Sequence, residues 1–104
     1  MDIVIIEDNV DLAENLRTFL TLLGFKVKVA LTAEAGLRKV IQHGPRVVLL
    51  DHQLPDGTGL DLLPQLLQAS PETAVVMVTA AGSERLAVDA IKAGAVDYLP
   101  KPVP

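Results

Sequence analysis

Residues 46–57, RVVLLDHQLPDG, contain the pattern that decides the fold of this chain. An apolar run ends in Asp51, and a segment with proline and glycine, which is typical of a turn, follows directly. A short apolar run bounded by turn residues is typical of a strand that is buried on both faces of a sheet. The sequence therefore predicts a parallel sheet, with Asp51 at the carboxyl end of one of its strands.

Three other apolar runs also end in polar residues: the run 3–6 ends in Glu7 and Asp8, the run 74–78 in Thr79, and the run 96–100 in Lys101. In an open α/β sheet, ligands bind just beyond the carboxyl ends of the strands. We therefore expect these acids, the hydroxyl and the ammonium group to meet Asp51 in one site.

The composition limits the class of protein. A chain of 104 residues is expected to form one domain, over residues 1–104, and half of it is apolar. The net charge of -4 argues against direct contact with nucleic acid. Without cysteine, neither a disulfide framework nor a thiolate metal site can form. No run approaches the roughly 18 apolar residues that cross a bilayer, so a cytoplasmic location without membrane contact is expected.

Predicted strands alternate with predicted helices along the chain. The strands are expected at 2–6, 26–30, 46–50, 73–78 and 96–99, and the helices at 10–23, 33–43, 59–68 and 84–93. Thr32 and Ser83 are candidate helix caps, and Pro64 implies that the third helix starts late or is bent in its first turn. The predicted fold is α/β, a flavodoxin-like doubly wound parallel sheet of five strands in the order 2-1-3-4-5.

The last predicted strand is followed by too few residues for a fifth helix. We therefore expect that helix to be absent from this chain and the sheet face that it would cover to be partly exposed. An exposed apolar face commonly marks an interaction surface. The chain is interpreted either as a domain that stops before its last helix or as a protomer covered by a neighbouring copy.

The predicted site suits phosphoryl transfer. Carboxylates about 4 Å apart repel by about 4 kcal/mol at an effective dielectric near 20, so they must be protonated or must share a cation. Oxygen ligands with an open coordination sphere suit Mg²⁺. With Lys101 and the hydroxyl of Thr79 nearby, Asp51 could act as the nucleophile and form an aspartyl phosphate.

These residues match a known family. The matching pieces are Glu7-Asp8, Asp51 with the segment 54–57, Thr79-Ala80, and Lys101-Pro102 after the segment 90–99. In this order and at these strand ends, they resemble the receiver domain of two-component response regulators, over nearly the whole chain except the last helix.

The resemblance implies roles for the site residues. Asp51 would accept a phosphoryl group from a histidine of a sensor kinase or of a histidine phosphotransfer protein. Glu7, Asp8 and Asp51, with the backbone carbonyl of Gln53, would organise Mg²⁺. Thr79 and Lys101 would assist as catalytic residues, and the domain would catalyse only its own phosphorylation and dephosphorylation, without being an enzyme in the usual sense.

The resemblance also implies a switch. Thr79 would move towards the phosphoryl group, and Tyr98 would change rotamer with it, although Tyr98 could equally be an aromatic residue that fills space. The Lys101–Pro102 peptide would be cis and would aim the lysine inward. The altered surface would signal to the output domain of a transcriptional regulator, which this chain does not contain. Alternatively, it would signal to a second copy of the chain through the face left by the absent helix.

Three alternatives remain open. A Mg²⁺-dependent aspartyl phosphohydrolase usually has a second acid two residues after its nucleophile, where this chain has Gln53. A receiver-like binding module that is never phosphorylated typically lacks one of the key residues, and a third possibility is a domain whose main role is assembly.

His52 and His43 are expected at the surface and not as metal ligands. Residues 56–59 are expected to form a turn and not a phosphate-binding loop, because the lysine of a P-loop is absent.

Overall fold

The computed structural model describes residues 2–80 and 84–101. Along the chain, the elements are β1 (Asp2–Ile6), α1 (Val10–Leu22), β2 (Lys26–Ala30), α2 (Ala33–His43), β3 (Val47–Leu50), β4 (Gln53–Leu54), β5 (Gly57–Thr58), α3 (Gly59–Ala69), β6 (Ala74–Ala80), α4 (Glu84–Lys92) and β7 (Asp97–Lys101). Among the described residues, no helix is long and apolar enough to cross a membrane.

The longer strands form one parallel sheet in the order β2-β1-β3-β6-β7. This is the predicted order 2-1-3-4-5, since β4 and β5 stand apart as a small antiparallel hairpin. The sequence pattern predicted only a turn in this region. Strands of two residues each carry no readable alternation, so the hairpin left no signal in the apolar pattern.

The core lies on both faces of the sheet because side chains alternate along each strand. On one face, Val4 and Ile6 of β1 belong to a buried cluster with residues of α2, α3 and α4. On the other face, Ile3 and Ile5 pack with Ala13 of α1. The sheet is therefore doubly wound, as predicted.

The face that packs on α1 is less covered than the opposite one. Val47, Leu49 and Val76 are half-buried on this face, whereas their neighbours Val48 and Leu50 on the other face are fully buried. This pattern agrees with the predicted partial exposure of one sheet face. The edge strand β2 also alternates between exposed and half-buried residues, as expected for an edge.

Polar side chains fix where the helices begin. Thr32 precedes α2, and its hydroxyl oxygen accepts a hydrogen bond from the amide of Ala35 at 3.0 Å, which confirms the predicted cap. Asn9 caps α1 and Thr58 caps α3 in the same way. Gly44 ends α2 with φ 52, a left-handed conformation that glycine adopts without strain.

α3 begins at Gly59, as predicted, although Pro64 lies inside it, so the alternative of a late start is wrong. Proline removes one backbone hydrogen bond within the helix. The first turn is nevertheless held by the cap from Thr58, and Leu62, Leu63 and Leu66 are buried. Tertiary packing here outweighs the local preference.

Two strands extend further than the apolar pattern predicted. β6 continues through Thr79 to Ala80, and β7 continues to Lys101, where Ala80 and Lys101 are paired in register. The prediction stopped where the sequence becomes polar, whereas the backbone ladder continues past that point. The predicted cap Ser83 lies outside the described residues, and α4 is seen from Glu84.

Candidate functional site

The predicted site residues lie around one cleft at the carboxyl ends of the central strands. The cleft has a volume of about 490 Å³. It is lined by the residues that end these strands or follow them, together with one residue of α4: Glu7, Asp8, Asn9, Asp51, His52, Gln53, Thr79, Ala80, Leu86 and Lys101. The sequence therefore predicted correctly that the four strand ends meet.

Three carboxylates cluster in this cleft. Glu7, Asp8 and Asp51 each contribute an oxygen, and these oxygens lie within 4.8 Å of one another. Glu7 and Asp51 are buried, whereas Asp8 is exposed. Carboxylate oxygens that converge in this way can hold a hard divalent cation such as Mg²⁺, which would neutralise their mutual repulsion.

Lys101 supplies the positive charge of the site. Its Nζ atom lies 2.7 Å from Oε1 of Glu7 and 3.4 Å from Oδ1 of Asp51. Burial alone would lower the pKa of Lys101, but the hydrogen bond to Glu7 and the attraction to Asp51 outweigh burial and raise the pKa above its usual value. Lys101 is therefore a fixed ammonium group beside the predicted nucleophile.

Glu7 uses both of its carboxylate oxygens in contacts with the protein. Oε1 contacts Lys101, and Oε2 accepts a hydrogen bond from the backbone amide of Asn9 at 3.0 Å. Because Asn9 also caps α1, the position of Glu7 is tied to the start of that helix. Glu7 is thus held rigidly, as a group that organises the site must be.

The two predicted switch residues occupy neighbouring strands. Thr79 of β6 is buried and lines the cleft. The hydroxyl group of Tyr98 on β7 donates a hydrogen bond of 3.1 Å to the carbonyl of Ala80, the residue after Thr79. Tyr98 also packs against the larger buried cluster, so it fills space and contacts the Thr79 segment at the same time.

Gly59 holds the backbone of Asp51 in place from the side of α3. The amide of Gly59 donates a hydrogen bond of 2.6 Å to the carbonyl of His52. A Cβ atom at this position would overlap the backbone carbonyl oxygen of Asp51, so only glycine allows α3 to approach so closely. This role was not predicted from the sequence, although a glycine at the end of the segment 56–59 was the signal for it.

Comparison with known proteins identifies the family. The family model described as the response regulator receiver domain matches residues 3–104. The chain belongs to the response regulator receiver domain family. This confirms the resemblance inferred from the strand-end residues, and the CheY-like fold of a solved relative agrees with the observed sheet.

A relative and two solved structures support the assignment. The regulatory protein LuxO of Vibrio cholerae is 36% identical over 97 residues, which cover 93% of this chain but only 21% of LuxO. A CheY-like receiver domain from Methanospirillum hungatei superposes with a TM-score of 0.93 at 32% identity, over 99% of this chain and 82% of that chain. A response regulator from Burkholderia pseudomallei, solved with a phosphorylated aspartic acid, a calcium ion and citrate, gives a TM-score of 0.94 at 28% identity, over 99% of this chain and 61% of that chain. The chain thus spans about a fifth of the length of LuxO.

One residue of this receiver domain, His52, lies elsewhere than its sequence predicted. His52 is half-buried and lines the cleft, so the expectation of a surface position is wrong. Its Nδ1 atom is buried without a hydrogen-bond partner among the described residues. Gln53 is exposed and also lines the cleft, next to the acidic cluster.

Asp56 has a contact that no local pattern indicated. Its carboxylate accepts hydrogen bonds from the backbone amides of Ala33 and Glu34, at 2.7 and 3.0 Å. The hydrogen bonds from Glu34 and Ala33 lower the pKa of Asp56 below its usual value of 3.8. The turn lies at residues 55–56, not at 56–59 as predicted, and it also caps α2, from 22 and 23 residues along the chain. The predicted cis peptide before Pro102 lies outside the described residues.

Proposed function

We propose that this domain is a phosphoacceptor switch of a two-component system, with Asp51 as the site of phosphorylation. The observation that carries the proposal is the position of Asp51, buried beside the ammonium group of Lys101 and within the acidic cluster. The phosphorylated aspartic acid and calcium ion of the Burkholderia pseudomallei relative, a protein with the same fold, support it.

The proposed reaction is transfer from a phosphohistidine of a sensor kinase or of a histidine phosphotransfer protein. A carboxylate oxygen of Asp51 attacks the phosphorus atom, the new O–P bond forms, and the N–P bond breaks with its electron pair passing to the imidazole nitrogen. Lys101 balances the negative charge of the phosphoryl group that Asp51 receives. The hydroxyl of Thr79 donates a hydrogen bond to a phosphoryl oxygen.

The residues present fit a Mg²⁺ ion. Asp8 and Asp51, with the backbone carbonyl of Gln53, would hold it, and Glu7 would contribute through water because both of its oxygens already have protein partners. Bound Mg²⁺ supplies positive charge that neutralises the phosphoryl oxygens. Glu7, which is buried and held by contacts to both of its carboxylate oxygens, would keep the acidic cluster in place beside Asp51.

The proposed output is a change of surface near α4 and β7. Thr79 would move towards the phosphoryl group, which shifts Ala80 and the carbonyl that Tyr98 contacts. Tyr98 would then change rotamer and alter the surface around it. Residues 1–104 would form the receiver domain of a cytoplasmic transcriptional regulator. Because the relatives are longer, the output domain would lie elsewhere in that regulator. The open sheet face of the receiver would allow a homodimer.

Intact mass measurement after incubation with acetyl phosphate tests the proposal. The wild type is expected to gain one phosphoryl group only when Mg²⁺ is present, and Asp51→Asn is expected to gain none while remaining folded. The matched control is Asp61→Asn, which removes an exposed acid of α3. Labelling of Asp51→Asn, or a folded wild type that gains no mass, would contradict the proposal and favour a binding module that is not phosphorylated.

A further inference from the structure

Asp56 connects two parts of the molecule that are distant in sequence. It lies in the two-residue turn between β4 and β5, at the tip of the small hairpin. Its two carboxylate oxygens accept hydrogen bonds from Ala33 and Glu34, the first two residues of α2. The tip of the hairpin is thus docked on the N-terminus of a helix.

This contact adds to a helix start that already has a cap of its own. Thr32 accepts the hydrogen bond of Ala35, and Asp56 satisfies two further amides that would otherwise lack partners. The carboxylate also faces the positive end of the helix dipole. Removing either side chain would uncap α2, but of the two only the Asp56 side chain also belongs to the hairpin.

The other end of the hairpin borders the cleft. Gln53 of β4 lines the cleft and is paired with Thr58 of β5, which in turn caps α3. At the base of the hairpin, the carbonyl of His52 accepts a hydrogen bond from the amide of Gly59. The hairpin is therefore fixed to α3 at its base, where Gln53 lies, and to α2 at its tip.

We propose that Asp56 is a positioning residue for the cation site, because docking the hairpin on α2 fixes the backbone at Gln53. The inference rests on the proposed function, in which the carbonyl of Gln53 helps to hold Mg²⁺. Linkage requires the effect to be reciprocal, so bound Mg²⁺ must in turn strengthen the hydrogen bonds from Ala33 and Glu34 to Asp56.

Mg²⁺ titration of a matched pair of variants, by calorimetry on the whole domain, tests the inference. Asp56→Ala and Thr32→Ala both remove a cap from α2, so both are expected to lower the urea midpoint. Asp56→Ala alone is expected to raise the Mg²⁺ dissociation constant, by about tenfold, as for groups that orient metal ligands. Asp56→Asn, which keeps one acceptor oxygen, is expected to lie between Asp56→Ala and the wild type.

Amide hydrogen exchange gives a second readout that does not depend on phosphorylation. Saturating Mg²⁺ is expected to slow exchange at Ala33 and Glu34 in the wild type but not in Asp56→Ala. Suppose that the wild type binds Mg²⁺ and is phosphorylated. Equal Mg²⁺ affinity of Asp56→Ala and Thr32→Ala would then overturn the inference and leave the proposed function intact. Absence of Mg²⁺ binding by the wild type overturns both.

Discussion

The ammonium group of Lys101 lies between two buried carboxylates, and this single contact sets the charge balance of the site. Glu7 and Asp51 are both almost inaccessible to solvent, so their negative charges cannot be screened by water. The buried acids therefore depend on Lys101 until another cation enters the cleft.

Replacing Lys101 with alanine should separate stability from metal binding. We expect Lys101→Ala to lower the free energy of unfolding by about 1–3 kcal/mol, because two buried acids lose a hydrogen-bonded partner. Mg²⁺ affinity should not fall, since the ammonium group no longer competes for Glu7 and Asp51, while the response of Tyr98 to phosphorylation should weaken. Urea unfolding measures the stability, calorimetry the Mg²⁺ affinity, and the NMR shifts of Tyr98 the response to phosphorylation. Lys92→Ala, which removes an exposed lysine of α4, is the control. Normal switching of Lys101→Ala would show that Lys101 is not needed.

A second residue-scale prediction concerns Gly59. Gly59→Ala should destabilise the domain by about 1–3 kcal/mol and slow phosphorylation, because its Cβ meets backbone atoms that cannot rotate away. Gly44→Ala is the control. It strains a left-handed residue that has open space around it, so it should lose stability but keep the phosphorylation rate. Urea unfolding and time-resolved intact mass measure the two effects, and equal phosphorylation rates in both variants would contradict the role of Gly59.

At the scale of elements, the sequence predicted the strands and helices well because their apolar patterns are long enough to repeat. The site followed from the same logic, since polar residues that end parallel strands must meet at one edge of the sheet. The β4–β5 hairpin could not be predicted, because it is too short for any periodicity. The capping of α2 by Asp56 could not be predicted either, because the partners are 22 and 23 residues apart along the chain. The local sequence around one partner carries no information about the other.

The cap on α2 makes a prediction about pH. The pKa of Asp56 is lowered in the folded domain, so its contribution to stability is present above its usual value of 3.8 and is lost as the pH falls through the lowered pKa. The difference in urea midpoint between wild type and Asp56→Ala should therefore be largest near neutral pH and should shrink on acidification below 3.8. A difference that does not change with pH would contradict this account.

At the scale of the whole molecule, the acidic cluster lowers the stability of the metal-free domain but allows it to bind a cation. Asp8 is exposed and adds a third negative charge beside two buried ones. Asp8→Asn should stabilise the metal-free domain by up to about 1 kcal/mol, since exposed like charges repel weakly in water. The same variant should bind Mg²⁺ less tightly, because it loses a ligand.

Thermal denaturation across a series of Mg²⁺ concentrations tests this exchange. The wild type should gain stability with each addition of Mg²⁺, by about 2.7 kcal/mol at a concentration one hundred times the dissociation constant, and Asp8→Asn should gain less. The two curves should therefore cross. Asp11→Asn, which removes an exposed acid of α1, should follow the wild type. Parallel curves for Asp8→Asn and wild type would show that Asp8 does not bind the cation.

The hairpin tip has one more consequence, for how this chain can change in length. Exposed turns usually tolerate inserted residues, and they are common places for tags, proteolytic sites and new termini. The turn at Pro55 and Asp56 is exposed, but its tip is fastened to one helix and its base to another. One extra residue would move the carboxylate away from α2 or pull Gln53 out of the cleft. The length of this surface loop is therefore constrained by contacts at both of its ends.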